Sequence, residues 1–399
     1  MNHVEKYKKL LEDIFNKDID LKPTSITNNC IGALASSQNS NFRKNFIERL
    51  ERLRDYYQNK HSIIEEIIFS AKNIGESQGY KWSGKYSELV ALDFWTSFED
   101  IPSVTYVVKE NTDTFHDSIA RKIGQQVIDL DLGIELAHKT IYTDVKSFIP
   151  IHDELTDLII KKVENKVNIG KFLVGVDDVF DVDYLRVSKD LKSEIKGGLI
   201  SKLQETIEQG KGYLSYQLKS GKNIKFTISY PKSNRRNIVL QTIREYDPYK
   251  LAEDYKYKIL DYYNKLLITR PSLITWVINP WFNKELNNGV GDFEMAFMRS
   301  LARRIFMDLS KDDSMMSNYF EDFEGTHDIS VAEISKLITG IIFIYDNSIL
   351  GNIDTLYDSC IFLNPNASNE VLTDRDFGTL SFGPSRYRVY IDDFQHDCY

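Results

Sequence analysis

The stretch VIDLDLGIELAHKTIYTDVKSF, residues 127–148, decides how this chain is read. Ile128, Leu130, Leu132 and Ile134 alternate with Asp129, Asp131, Gly133 and Glu135. Such alternation has period two, the mark of a β-strand with one buried face. Residues 139–148 alternate as well, so the stretch predicts two adjacent strands. With Ala137-His138 as the connecting turn, antiparallel register pairs Leu136 with Lys139, Ile134 with Ile141 and Asp131 with Asp144, and sets Asp129 opposite Lys146. Directly opposed residues share a face with Cβ atoms about 4.5–5.5 Å apart, where like charges are destabilising unless compensated. Two carboxylates and a free backbone carbonyl suit a hard, oxygen-seeking cation such as Mg2+. Lys146, two residues beyond Asp144, points to the same face, where an ammonium can orient or help deprotonate a water attacking a phosphodiester. Asp129 and Glu135 share the face of Asp131 and are ligands in another register. The plain alternative is an exposed hairpin with a charged outer face; the surrounding elements argue against it.

Residues 86–98 (YSELVALDFWTSF) have helical spacing, and residues 103–109 (SVTYVVK) read as a strand. Residues 153–167 (DELTDLIIKKVENKV) are again helical in pattern, and residues 171–176 (KFLVGV) read as a short buried strand. The order is helix, three strands, helix, strand, and within it an Asp is followed after a gap by Asp, any residue and Lys. In that order and motif residues 79–180 resemble the PD-(D/E)XK nuclease superfamily, the restriction-endonuclease-like fold. Leu130 stands where the family name has proline, and the second acid is Asp144 rather than the commoner Glu. The resemblance implies an α/β fold with an αβββαβ core. It implies that Asp131, Asp144 and the Val145 carbonyl bind Mg2+, with Mn2+ as a substitute, and that Lys146 is catalytic. Glu88 matches the glutamate that many members carry on the first helix to aid metal binding.

Glu88 also stands out without the family. It shares a helical stripe with Ala91, Leu92 and Trp95, which sets an acid on the buried face. A buried carboxylate is costly without a partner, which a structural Lys or Arg could equally provide.

The chain has 399 residues, 42% apolar and 27% charged, enough for two or three domains with proper cores. No run of about eighteen apolar residues exists, so no membrane span is expected. The N-terminal residues lack the apolar region and cleavage site of a signal peptide. Cys30, Cys360 and Cys398 are widely separated and odd in number, which points to a reducing, cytoplasmic compartment and excludes a cysteine-based zinc site.

A net charge of −9 is unpromising for a nucleic-acid binder, but distribution matters more than the sum. Residues 210–244 hold Lys211, Lys219, Lys222, Lys225, Lys232, Arg235, Arg236 and Arg244 and no acid. Within them GYLSYQLKSGKNIKFTISYP alternates on both sides of Ser220-Gly221, the pattern of a β-hairpin with lysines along one edge and the tip. A two-stranded ribbon can enter a DNA groove with Lys219, Lys222, Lys225, Lys232, Arg235 and Arg236 on phosphates. The alternative is an edge hairpin that its lysines protect from aggregation. Arg299, Arg303 and Arg304 read as the solvated face of an amphipathic helix.

Four regions are expected: a helical one over 1–78, with a long charged stretch over 41–72 that could pack on a partner or a second copy; the nuclease-like core over 79–180; a mixed region over 181–270 carrying the basic hairpin; and an α/β region over 271–399. The last holds the apolar strands SLITWVINP, ITGIIFIYD and SCIFLNP between helices near residues 292–307 and 330–337, and extends the central sheet. Competing motifs fail on context. GYKWSGK (79–85) has a P-loop's glycines and lysine, but Tyr86 replaces the Mg2+-binding Ser or Thr and no strand precedes it. GESQG (75–79) lacks the strand before a nucleophile elbow. Asp177, Asp178, Asp181 and Asp183 lack the glycine and distal glutamate of a calcium loop, and the seven histidines have no zinc spacing.

Together these readings lead to the expectation of a Mg2+-dependent endonuclease cutting double-stranded DNA, in restriction or another defence against foreign DNA. A homodimer would let two sites cut two strands. A ribonuclease or transfer-RNA nuclease with the same site, and a non-catalytic binding protein on a nuclease-like fold, are the alternatives.

Overall fold

Strand pairing carries the register read from residues 127–148 into the fold. In this computed structural model β1 (Ser103–Asn111), β2 (Val127–Glu135) and β3 (Thr140–Ser147) form an antiparallel meander. Ile134 pairs with Ile141, as expected, and Leu136 N–H donates to the Lys139 carbonyl at 2.8 Å. The ladder ends at Leu132 and Thr143, one pair short of Asp131 and Asp144. Asp131 and Asp144 are therefore not a directly opposed ladder pair, though burial, and with it the charge of Asp131, still raises the Asp144 carboxyl. The structure describes residues 2–111 apart from 25, 27 and 28; 127–149 apart from 137 and 138; 159, 162–163, 173–176, 193–194 and 197–200; 201–230 apart from 220 and 222; and 247–266, 271–279, 291–318, 329–349, 355–382 and 387–394. The connecting turn at 137–138 thus lies outside the described residues, as do the side chain of Asp129 and the acids at 177–183.

Beyond β3 the sheet continues with β7 (Ser272–Ile278), β8 (Gly340–Asp346), β9 (Tyr357–Leu363) and β10 (Tyr387–Asp392), giving seven strands in the order β1-β2-β3-β7-β8-β9-β10. β3–β7, β7–β8 and β9–β10 are parallel and the other pairs antiparallel. The three apolar C-terminal strands do extend the central sheet. Every residue of β7, β8 and β9 is buried, as strands covered on both faces require.

Residues 171–176 correct the expected core. Their described residues form a strand, β4 (Leu173–Val176), but it pairs with β6 (Asn223–Ser229) in a separate sheet ordered β4-β6-β5, with β5 spanning Tyr213–Gln217. The place beside β3 belongs to β7. A central parallel position needs a strand buried on both faces, and β7 supplies one along its whole length. The αβββαβ order over 79–180 therefore does not close within those residues. Of the helix expected over 153–167, only Ile159, Lys162 and Val163 are described, all helical. Residues group into two units, Met1–Phe148 with Leu260–Tyr399, and Ile149–Ile259.

In the first unit α1 (His3–Phe15), α2 (Cys30–Ala35), α3 (Ser40–Tyr56), α4 (His61–Glu76) and α5 (Ser83–Thr96) precede the sheet. The charged stretch 41–72 falls on two helices, α3 and α4, and Phe42, Phe46, Leu50 and Leu53 of α3 are buried within this chain. α5 is the central helix. From Tyr86 to Trp95 every residue is buried, so its expected stripe is one part of a helix enclosed all round. It packs on β1, β2, β3 and β7 from one side and on α3 and α4 from the other. The opposite sheet face is aromatic: Phe148 and Phe343 meet Trp276 edge-on or tilted, and Phe297 of α8 (Asp292–Arg303) covers Phe148. Among the described residues no helix is long and apolar enough to cross a membrane.

The second unit holds α6 (Leu199–Glu208), the three-stranded sheet and α7 (Pro248–Tyr255). Leu199, Ile200, Leu203 and Ile207 of α6 are buried, as are Leu214, Ile224, Phe226 and Ile228 of the hairpin.

A buried ionic network joins α3 and α5 to the sheet. Arg49, 1% exposed, donates from Nε to Tyr357 at 2.8 Å and from Nη2 to Asp346 at 3.1 Å, and lies over the ring of Tyr86. Tyr86 donates to Asp346, Tyr357 to Asp93 at 2.6 Å, and Arg52 grips Asp93 with two hydrogen bonds of 2.9 and 2.7 Å. Removing one partner of such a network strands the other charge in the interior. Arg49→Ala should cost about 3–5 kcal/mol of stability, seen as a lower urea midpoint with an unchanged slope.

Candidate active site

The candidate site lies where the β2–β3 ladder ends. Tyr142 N–H donates to Pro271 and Phe148 N–H to Val277, so even-numbered residues of β3 face β7 with their backbone groups. Odd-numbered residues then face β2. Past the last ladder pair at Thr143, the N–H of Val145 has no strand partner and donates instead to Asp131 Oδ2 at 2.7 Å. The Val145 carbonyl lies on the same edge, beyond the ladder.

Asp144 and Lys146 share the other set of β3 positions, opposite Ile274 and Trp276 of β7. Lys146 Nζ stands 2.6 Å from Asp144 Oδ2. The contact is an ion pair without the alignment of a hydrogen bond, so the buried Oδ2 has no well-formed hydrogen-bond donor. Asp144 is only 1% exposed. Burial first, and then the charge of Asp131, push its carboxyl up to about 7, against the pull of Lys146 and Lys265. Burial works against the charge of Lys146, but Asp144 and Asp131 outweigh it and hold the ammonium above its ordinary value.

Glu88 enters from α5. Its Oε2 accepts from Lys85 Nζ at 2.7 Å and from Tyr106 at 2.8 Å, and Tyr106 shares a 2.7 Å hydrogen bond with Ser70. Burial raises its carboxyl above the usual range; Asp131 raises it further, while Lys85 and Tyr106 offset part of the rise. The structure thus brings Glu88, Asp131, Asp144 and Lys146 into one electrostatic neighbourhood. Sequence reading left Lys85, Tyr106 and Ser70 unassigned. Lys85 had a signal in its three-residue spacing from Glu88; Ser70 had none.

Glu135 is exposed at the far end of β2, paired with Thr140. Of the basic hairpin residues, Lys219 and Lys225 are described and exposed, and Lys225 pairs with Ser215 across β5 and β6. The side chains of Lys222, Lys232, Arg235 and Arg236 lie outside the described residues. The hairpin is no free two-stranded ribbon, since β6 is the middle strand of its sheet and turns alternate residues inward. Arg299 is ion-paired to Asp392 at 2.7 Å and Arg304 lies 3.6 Å from Asp308.

The donors of the site are all oxygen, and Asp144 carries a buried carboxylate oxygen that a cation would satisfy. Asp131, Asp144, the Val145 carbonyl and Glu88 therefore fit a hard divalent ion in chemistry. They are not gathered as a finished cage: among the described residues no group of three or more His, Cys, Asp or Glu side chains is close enough to hold a metal. Asp131 is engaged by Val145, Glu88 by Lys85 and Tyr106, and Asp144 by Lys146. Comparison with protein-family models, curated proteins and solved structures finds no match to this chain.

The raised carboxyl of Asp144 links stability to pH. An unfolded Asp titrates near 3.9, and the folded one at about 7. The contribution is therefore fully present below about 4 and is lost as the pH rises through 7, on the order of 2–4 kcal/mol. Asp144→Asn carries no such dependence. In divalent-free buffer its melting temperature should gain on that of the wild type as the pH rises from about 5 to about 8.

Proposed function

We propose that this protein is a Mg2+-dependent endonuclease that hydrolyses phosphodiester bonds of double-stranded DNA, acting in restriction or another defence against foreign DNA. The observation that carries the reading is the convergence at the end of the β2–β3 ladder: Asp131 holding Val145, and the buried Asp144 ion-paired to Lys146. Support comes also from the order of elements around it. A buried helix α5 supplying Glu88, an antiparallel β1–β2–β3 meander and a parallel strand beside β3 make up most of the core that the motif's resemblance implies, with β7 as the parallel strand.

Asp131, Asp144, the Val145 carbonyl and Glu88 would hold Mg2+, with Mn2+ able to replace it. Bound there, a divalent ion would supply Lewis-acid polarisation of the scissile phosphate and make the attacking water more acidic. Lys146 Nζ, part-exposed beside Asp144, hydrogen-bonds the attacking water and neutralises charge growing on the phosphate oxygens. The water oxygen forms the new bond to phosphorus and loses its proton to solvent as the bond to the leaving 3′ oxygen breaks and that oxygen takes up a proton from water. Asp144 keeps the ammonium in place, and Lys85 with Tyr106 fixes Glu88.

The test is incubation of purified protein with supercoiled plasmid and phage DNA, modified and unmodified, with Mg2+ or chelator. Metal-dependent cutting is expected, lost by roughly 10²–10⁴-fold in Asp144→Ala and Lys146→Ala. Cutting that survives both substitutions, or degradation of RNA alone, overturns the reading.

A further inference from the structure

Lys146 is held on a second side, by an element that the sequence motif does not contain. Its Nζ lies 5.5 Å from the centre of the Tyr262 ring. That ring meets Trp276 at 6.4 Å and 65°, and Trp276, 1% exposed, is the β7 residue paired with Lys146. Tyr262 is thus anchored on the strand that backs the site, with its face toward the ammonium. It belongs to the 3-10 segment Lys256–Lys265, whose residues from Leu260 onward are in the same unit as the central sheet. In a 3-10 helix residues three apart eclipse one another. Lys265 therefore stands on the Tyr262 side of the segment, part-buried, and its charge reaches Asp144.

This placement alters the charge of the site. Glu88, Asp131 and Asp144 alone would repel a phosphate backbone. Lys85, Lys146 and Lys265 offset that repulsion before any divalent ion binds.

We propose that Lys265 is a substrate-binding residue that contacts a backbone phosphate of the nucleic acid beside the scissile one, and that Tyr262 is a positioning residue whose ring holds Lys146 in line. The proposal rests on the nuclease reading above. Lys265 acts on binding, since a contact to a neighbouring phosphate is made equally in ground and transition states. Tyr262 acts on turnover through Lys146, the charged residue of the site that its ring faces.

Two measurements on the full chain test this: anisotropy of a fluorescent duplex in Ca2+, which reads binding without cutting, and steady-state cleavage in Mg2+. Lys265→Ala should weaken binding and raise KM about 5–10-fold with kcat within about threefold, and should flatten the slope of log affinity against log salt by about one. Lys265→Arg should restore both. Tyr262→Leu should lower kcat about tenfold or more with KM unchanged, and Tyr262→Phe, which keeps the ring, should behave as wild type. Lys265→Ala with unaltered binding and salt slope, or Tyr262→Leu with unaltered kcat, overturns the corresponding assignment. Wild-type binding that Lys265→Ala weakens, without cutting in Mg2+, upholds Lys265 and overturns the nuclease reading and the Tyr262 role. A wild type that neither binds nor cuts duplex overturns both proposals.

Discussion

The hydrogen bond from Val145 N–H to the Asp131 carboxylate is the constraint on which the rest of the arrangement turns. A strand that loses its neighbour leaves backbone donors exposed to the interior, where an unpaired N–H costs about as much as a lost hydrogen bond. Here the donor is satisfied by a side chain of the departing strand itself. One carboxylate thereby ends the ladder, keeps β2 close after the pairing has stopped, and stands beside the second carboxylate without opposing it directly. The end of the ladder is held by that side chain, and Asp144 and Lys146 lie next to it on a strand still paired to β7.

Helix α5 ties this end of the ladder to the interior. Tyr86 and Asp93 enter the buried network of Arg49, Asp346 and Tyr357, while Glu88, between them in sequence, reaches the site. A helix enclosed on every side has little freedom to slide. The position of Glu88 is therefore set by charges buried near the C-terminal end of β8 and the start of β9, as well as by Lys85 and Tyr106 next to it. Rigid support of this kind is what a charged cluster needs, because carboxylates that repel one another will separate wherever the scaffold yields.

Local pattern made the meander and its register legible. Alternation at 127–148 gave the face of each residue, and a connection between 136 and 139 left one sensible pairing, which the ladder from Leu132 to Glu135 follows. The apolar runs of β7, β8 and β9 were readable for the same reason. What pattern does not give is which strand sits beside which. KFLVGV declares a strand, but its choice of β6 over β3 depends on residues far away in the chain. The point at which β2 and β3 part was hidden too, since the alternation runs on through Asp131. Tyr262 and Lys265 left no trace in the motif because a 3-10 segment more than a hundred residues downstream brings them in. The lysines of the hairpin show the limit of composition: it marked a basic window, while the third strand that makes β6 central comes from outside it.

The separation of β3 from β7 also orders events in time. All of residues 149–259 are made between the strand bearing Asp144 and Lys146 and the strand that backs them. Closing so long a loop costs entropy that rises only slowly with its length, but contacts so distant in sequence form late. At about 5–20 residues per second, a ribosome has placed every charged residue of the motif in the nascent chain several seconds before Trp276 is available to support Lys146. The pairing of β3 with β7 therefore waits until residues 272–278 have been made.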